Sequence, residues 1–103
     1  INFDVGHYVG CTGKHPNEII EKYHDRMIAI QIKDKTSVDG NPPNTNMSYG
    51  QGDTPLADIL LLIKKNHWPI IVDIELEHKI PEGSNAVQEV QKCIEYCKKI
   101  LLA

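Results

Sequence analysis

The chain of 103 residues is long enough for one ordinary small domain with its own hydrophobic core. Its composition, 41% hydrophobic and 24% charged, is typical of a globular protein, and its net charge of −3 argues against a nucleic-acid partner. No apolar run approaches the ~20 residues of a membrane-spanning helix, so we expect no membrane partner. The chain starts at Ile1 with no lead-in to its first apolar run, and we therefore expect a partial chain.

Strand-like and helix-like segments alternate three times along the chain. The predicted strands cover residues 1–6, 27–34 and 69–77. The predicted helices cover residues 16–24, 55–66 and 84–102. We expect loops at 8–15 and, because the stretch is rich in Asn, Pro, Gly, Ser and Thr, at 35–53. A loop as long as the second one is uncommon in a compact domain unless it is functional or disordered.

Two smaller features concern the helices. The apolar stripe of the third helix consists of Val87, Val90, Ile94, Cys97 and Leu101. Cys93 and Cys97 lie on the apolar face of this helix, where we expect two buried thiols rather than a metal pair or a disulfide. Before the second helix, Gly50 and Gly52 indicate either a plain turn or a close backbone approach to a sugar or a phosphate.

The alternation of strands and helices implies a parallel sheet with right-handed crossovers. The helix-to-strand links are short, whereas the strand-to-helix loops are longer and carry most of the polar chemistry. In (β/α)8 barrels the active site lies on these loops, at the C-terminal ends of the strands. Three such units cannot close a barrel, because a complete one takes ~250 residues.

One face of each predicted strand is polar. By period-two alternation this face carries Asn2, Asp4, Gln31, Lys33, Asp73, Glu75 and Glu77. In a barrel it would point inward, and Asp4, Gln31 and Glu75 would converge near the upper rim. Buried carboxylates need a counter-charge or a metal, and since Lys33 is almost the only cation nearby we expect a divalent cation. An antiparallel or open sheet with one wet face would explain the same alternation without a site.

Four segments of the chain carry the polar residues in a specific order. They are DVGH at 4–7, IAIQIKD at 28–34, GQGDTPL at 50–56 and IIVDIELE at 70–77. In order and spacing they resemble the xylose isomerase-like TIM barrels and, more narrowly, the sugar phosphate isomerase/epimerase family. The resemblance covers essentially the whole chain. It implies one partial domain, residues 1–103, made of the C-terminal three βα units of a (β/α)8 barrel.

The resemblance also implies roles for individual residues. A divalent metal ion (Mn, Mg, Co or Zn) would be held by Asp4, Gln31, Glu75 and a glutamate upstream of this chain. Gln31 stands where the family usually has a histidine, and its carbonyl oxygen suits Mg²⁺ or Mn²⁺ better than Zn²⁺. Glu75 would also be the catalytic carboxylate, and His7 and Lys33 would contact the substrate.

The implied function is metal-dependent isomerisation or epimerisation of a sugar or sugar phosphate through an enediolate. We expect activity from the full-length parent and not from these 103 residues alone. Whether the protein forms a homo-oligomer stays open, and the cytoplasm is the favoured compartment.

Three alternatives stay open. A non-catalytic sugar-binding relative is suggested by Gln31 and by the lack of an arginine near Thr36. A metal-dependent phosphoesterase of the endonuclease IV kind is disfavoured because residues 35–53 contain no histidine. An unrelated small interaction domain would need cover for two open sheet edges.

Overall fold

Parallel strands and helices form the framework of residues 1–102, the part of the chain that the computed structural model describes. In chain order the strands are β1 (Asn2–Asp4), β2 (Ala29–Ile32), β3 (Asp34–Lys35), β4 (Asn46–Met47) and β5 (Ile71–Ile74). The α-helices are α1 (Val5–Thr12), α2 (Asn17–Tyr23), α3 (Leu56–Asn66) and α4 (Ala86–Leu101), with a 3₁₀ turn at His24–Arg26. The chain is therefore a mixed α/β protein, as the sequence predicts. Within residues 1–102, no helix has both the length and the apolar character needed to cross a membrane.

The main sheet is parallel and has the strand order β1-β2-β5. Gln31 on the central strand lies opposite Asp4 on one side and Asp73 on the other. The ladder continues one step beyond β5, because the backbone N–H of Glu75 donates to the carbonyl of Ile32 at 3.0 Å. The C-terminal ends of all three strands therefore meet at one edge of the sheet.

The core lies on one face of this sheet. Ile30 and Ile32 are completely buried there, and each such burial contributes roughly 2 kcal/mol to the free energy of unfolding. The helices contribute Ile20, Leu56, Ile59, Leu60, Ile63 and Cys97. On the other face Ile71 is 60% exposed and Asp73 is also exposed, although parallel sheets are usually covered on both sides. The face that the sequence predicts to be polar is thus the open one.

The region after β1 differs from the prediction. Residues 5–12 form α1, where the sequence predicts the end of a strand and a loop. The reason is the side chain of Asp4, which caps the helix by accepting the backbone N–H of His7 at 2.9 Å. The helix ends at Gly13, whose φ of 68° is the left-handed conformation that favours glycine. The predicted strand 1–6 therefore ends at Asp4.

The remaining differences are in length and in the long loop. Strands β2 and β5 have four residues each, fewer than the predicted 27–34 and 69–77. The other three helices, α2, α3 and α4, lie within the ranges predicted for them. An antiparallel pair, β3–β4, begins at the last residue of the predicted strand 27–34 and continues into the predicted loop 35–53. In it Asp34 lies opposite Met47 and Lys35 opposite Asn46.

Candidate functional site

The ammonium group of Lys33 lies at the centre of a cluster at the C-terminal edge of the sheet. Its Nζ is 2.9 Å from Asp4 Oδ2, 3.2 Å from Glu75 Oε2 and 2.5 Å from Glu77 Oε1. The side chain of Lys33 is only 3% exposed. Lysine is almost never fully buried unless it is paired, and here the three N–H donors of one ammonium meet three carboxylates. We call Asp4, Lys33, Glu75 and Glu77 the Lys33 cluster.

The strand ends position this cluster. Asp4 is the last residue of β1, Lys33 follows β2 directly and Glu75 follows β5 directly. Helix α1 then passes so close to Lys33 that a Cβ at Gly6 would lie 2.5 Å from the Cγ of Lys33. Gly6 is therefore needed for the lysine stem to pass between the helix and the sheet.

The Lys33 cluster shifts the proton affinities of its members. Burial alone would lower the pKa of Lys33, but the hydrogen bonds to the carboxylates, Glu77 first, outweigh burial and raise it. The hydrogen bond with Glu77, together with burial, raises the pKa of Glu75 although Lys33 opposes the shift. The hydrogen bonds from Lys33 and Glu75 lower the pKa of Glu77. Two neighbouring carboxyls with diverging pKa values are an arrangement that suits acid–base chemistry.

Two further residues named from the sequence lie beside the cluster. His7 is half exposed, and its Nε2 is 3.2 Å from the Nζ of Lys33 and 3.5 Å from Asp4 Oδ2. Gln31 is the register partner of Asp4, is partly exposed and takes no part in the hydrogen bonds of the Lys33 cluster within residues 1–102. The structure therefore brings Asp4, Lys33, Glu75 and His7 together, and it adds Glu77 to them.

Three carboxylates of the cluster form a donor set for a hard cation. Asp4, Glu75 and Glu77 each offer an oxygen atom, and these atoms lie within 4.8 Å of one another. Carboxylate oxygens are the ligands that Mg²⁺ and Ca²⁺ prefer, and Mn²⁺ accepts them too. The expected set contained Gln31, whereas this acidic group contains Glu77. The donors fit a divalent cation in chemistry and spacing, but they are the same groups that hold the ammonium of Lys33.

Asp34 is a buried residue whose role the sequence does not reveal. It is 1% exposed, and its carboxylate accepts the backbone N–H groups of Gly50 at 2.8 Å, Gly52 at 2.9 Å and Thr54 at 3.1 Å. Burial raises the pKa of Asp34 and the three N–H groups oppose that shift. The amides of Gly50 and Gly52 are thus already bonded to Asp34, which favours the plain turn among the alternatives that the sequence leaves open.

Tyr49 is a second residue that sequence reasoning missed. Its hydroxyl lies 2.5 Å from the carbonyl oxygen of Ile32 and 3.1 Å from that of Glu75. Burial raises the pKa of Tyr49, so the phenol stays a hydrogen-bond donor. It joins β2 and β5 at the point where Lys33 and Glu75 of the Lys33 cluster follow these strands. An aromatic residue inside a polar loop was the only signal for it in the sequence.

A second buried charge lies between α4 and the segment that precedes it. Glu89 is 2% exposed and accepts hydrogen bonds from Ser84 Oγ at 2.7 Å and Lys92 Nζ at 2.9 Å, with His78 Nε2 at 3.3 Å. The bond from Ser84, followed by that from Lys92, lowers the pKa of Glu89 to about 2 against the effect of burial. A cavity of about 280 Å³ adjoins this group and reaches Tyr49. We call Ser84, His78, Glu89 and Lys92 the Glu89 cluster.

Comparisons with known proteins add no assignment. No family model matches the chain, and no curated protein matches it.

Proposed function

We propose that residues 1–103 supply the last three βα units of a TIM-barrel, metal-dependent isomerase or epimerase that acts on a sugar or a sugar phosphate. The observation that carries the proposal is the convergence of Asp4, Lys33 and Glu75. They come from the C-terminal ends of three neighbouring parallel strands, where barrel enzymes hold their catalytic groups.

The shape of the sheet supports the barrel part of the proposal. Its helices pack on one face, and the strands follow one another in sequential order, as they do in a (β/α)8 barrel. The open face carries Asp4, Gln31 and Asp73, which would point into the barrel. The outer sides of β1 and β5 have no strand partner within residues 1–102, and further strands on these sides would remove both edges.

The chemistry would be a proton transfer next to a carbonyl group. The carboxylate of Glu75 removes the proton from the carbon beside the carbonyl, and the electron pair of that C–H bond gives an enediolate. Return of the proton to the former carbonyl carbon, while the hydroxyl proton moves between the two oxygen atoms, yields an isomer. Delivery of a proton to the opposite face of the first carbon by a second acid, the glutamate upstream of this chain, would yield an epimer. The raised pKa of Glu75 suits a group that must take up and release a proton.

The other residues would bind and orient. Asp4, Glu75 and Glu77, with Gln31 beside them, would hold a divalent cation whose chemistry is to polarise the carbonyl oxygen. His7, on the half-exposed rim, would bond a substrate hydroxyl. The low pKa of Glu77 keeps that carboxylate ionised while Glu75 exchanges its proton.

Deuterium exchange tests the proposal. The longest native form of the chain is incubated in D₂O with Mn²⁺ and a panel of aldoses, ketoses and their phosphates, and NMR detects deuterium beside the carbonyl. We expect exchange with at least one sugar and a loss of about 100-fold or more in Glu75→Gln, the usual scale for a general base. Asp73→Asn is the matched control, because Asp73 lies two residues away on the same face and outside the Lys33 cluster. Exchange with no sugar, or equal loss in both variants, would contradict the proposal.

One observation favours a second candidate, a sugar-binding relative without turnover. Lys33 already compensates part of the carboxylate charge that a metal would otherwise compensate. Calorimetric binding of a sugar that is equal with and without Mn²⁺, in the absence of deuterium exchange, would favour this candidate.

A further inference from the structure

One cation, the ammonium of Lys33, occupies the centre of the Lys33 cluster. The Nζ of Lys33 is within 3.2 Å of an oxygen of Asp4, Glu75 and Glu77, and these three side chains also form the donor set described above. A divalent ion binds carboxylate oxygens at about 2.0–2.6 Å, so it would occupy nearly the position of the ammonium nitrogen. Two positive charges so close together would repel each other strongly in a partly desolvated site.

We propose that the ammonium of Lys33 and a divalent cation are alternative occupants of this one position, so that metal binding displaces Lys33 toward the substrate. The inference rests on the proposed function for the identity of the metal and goes beyond it in giving Lys33 two positions. Without metal, Lys33 holds the carboxylates together. With metal, its ammonium becomes a donor to a substrate oxygen.

The surroundings of Lys33 fix the direction of this movement. Its stem is held at Cγ by the close approach of Gly6, so only the outer part of the side chain can swing. Besides the three carboxylates, Nζ lies 3.2 Å from Nε2 of His7 on the half-exposed rim. The displaced ammonium would therefore move to the His7 side, where a sugar hydroxyl would also bind.

The charges support the exchange. When its three carboxylates are ionised, the Lys33 cluster has two negative charges in excess of its single ammonium. A divalent cation at the centre and the ammonium of Lys33 at the rim would together balance all three carboxylates. The ammonium of Lys33 would therefore stay among polar groups when the metal binds and would not enter an apolar environment.

Calorimetric titration of Mn²⁺ into the unaltered chain, Lys33→Met and Lys35→Met tests the inference. Lys35 is the matched control, because it lies two residues away, is 5% exposed and forms no ion pair with the Lys33 cluster within residues 1–102. We expect Lys33→Met to bind Mn²⁺ at least about tenfold more tightly than the unaltered chain, since a competing charge ~3 Å away is removed. We expect Lys35→Met, with the same change in net charge, to stay within about threefold. Equal or weaker binding by Lys33→Met would overturn the inference.

A second measurement uses the unaltered chain, because Lys33→Met leaves three carboxylates unpaired and could fail to fold. Acetylation by acetic anhydride is followed at Lys33 and Lys35 by mass spectrometry, with and without saturating Mg²⁺. We expect Mg²⁺ to accelerate the labelling of Lys33 by at least about fivefold, on the scale of a charge leaving a buried pair, and to leave Lys35 unchanged. Unchanged labelling of Lys33 would overturn the inference.

The outcomes separate this inference from the proposed function. If Mg²⁺ accelerates the labelling of Lys33 but no sugar shows deuterium exchange, the inference stands and the proposed function falls. If only Lys33→Met binds Mn²⁺, the displacement of Lys33 and the metal dependence of the natural chain both fall. If the unaltered chain catalyses deuterium exchange and Lys33→Met has the same Mn²⁺ affinity, the function stands and the inference falls. If no form binds Mn²⁺, both fall.

Discussion

The two clusters, each around one buried charged residue, have opposite arrangements of charge. In the Lys33 cluster one cation lies among three carboxylates, whereas in the Glu89 cluster one carboxylate lies among a hydroxyl, an imidazole and an ammonium. The donors of Lys33 are all used, but its partners have six oxygen atoms and more lone pairs than one ammonium can satisfy. The two oxygens of Glu89 instead meet three donors, so little capacity is left over.

The difference distinguishes a cluster with spare hydrogen-bond acceptors from one whose acceptors are nearly all used within the protein. An excess of carboxylate oxygens at the open edge of a sheet can accept another cation or a substrate group. The Glu89 cluster is satisfied within itself, and it holds the segment from His78 to Ser84 against α4. That segment follows Glu75 and Glu77 directly, so the second cluster also keeps the end of the third strand in place for the first.

Removal of the ammonium of Lys33 should produce the largest loss in the free energy of unfolding. Deleting one partner of a buried ion pair costs about 3–5 kcal/mol, and because the carboxylates around Lys33 are 21–46% exposed we expect a loss of about 2 kcal/mol for Lys33→Met without metal. Urea unfolding at neutral pH measures it. Lys35→Met should cost less than about 1 kcal/mol, because Lys35 forms no ion pair with the Lys33 cluster within residues 1–102 and methionine can replace its buried stem. Equal losses would mean that the Lys33 cluster does not bind its lysine specifically.

Glu89→Gln should change the response of the protein to acid. A carboxylate whose pKa is lowered from 4.5 to about 2 by folding stabilises the protein above pH 4.5, and this contribution disappears as the pH falls from 4.5 toward 2. Glu89→Gln should therefore be less stable at pH 7 and lose less of its remaining stability over that range. Thermal unfolding between pH 2 and 7 measures both, with Glu95→Gln on the exposed side of α4 as control. A parallel pH dependence in Glu89→Gln and the unaltered chain would refute the assignment.

Tyr49→Phe should have an effect of intermediate size. Tyr49 contacts Glu75 of the Lys33 cluster and also lines the cavity beside Glu89. Loss of one buried hydrogen bond costs about 1 kcal/mol, and it would also leave the carbonyl of Glu75 without this donor. We therefore expect weaker Mn²⁺ binding by about threefold to tenfold, on the scale of a lost supporting contact to a metal ligand. Tyr96→Phe is the matched control, because the two rings touch edge to face at 6.0 Å between centroids. If both variants bind Mn²⁺ equally well, Tyr49 does not position Glu75.

Glu77→Gln should have the smallest effect on stability. Its side chain is 46% exposed, and the cluster retains two carboxylates for Lys33 after the change. We expect a change of less than about 0.5 kcal/mol in the free energy of unfolding by urea. A large loss would mean that the excess of carboxylates is structural, and the contrast with the Glu89 cluster would disappear.

The sequence predicts the parts of this architecture that depend on periodicity. Alternation in IIVDIELE places Asp73 and Glu75 opposite Val72 and Ile74, and the structure has Asp73 exposed while Val72 and Ile74 pack on the core. The three predicted helices also follow from apolar spacing together with start signals such as Thr54-Pro55. Alternation likewise puts Lys33 and Glu75 on one face, but it does not say that their charged atoms meet.

The parts that the sequence does not predict depend on contacts between remote residues. The buried face of α4 includes Glu89, whereas Val87, which belongs to the predicted apolar stripe, is 79% exposed. No spacing rule assigns a glutamate to a core, because its burial depends on Ser84 and His78 outside the helix. Helix α1 was missed for a similar reason, since the capping bond of Asp4 decides it and the composition of Val5–Thr12 does not.

The bonds of Asp34 to the backbone at Gly50, Gly52 and Thr54 have a consequence for engineering. They tie together the two ends of the segment between β3 and α3, and the tip of that segment, residues 41–44, is exposed. Doubling the length of a closed loop costs only about 0.6 kcal/mol of chain entropy, provided that its ends stay joined. A peptide tag or a recognition sequence inserted at residues 41–44 would therefore leave the strand ends that carry the Lys33 cluster in their positions.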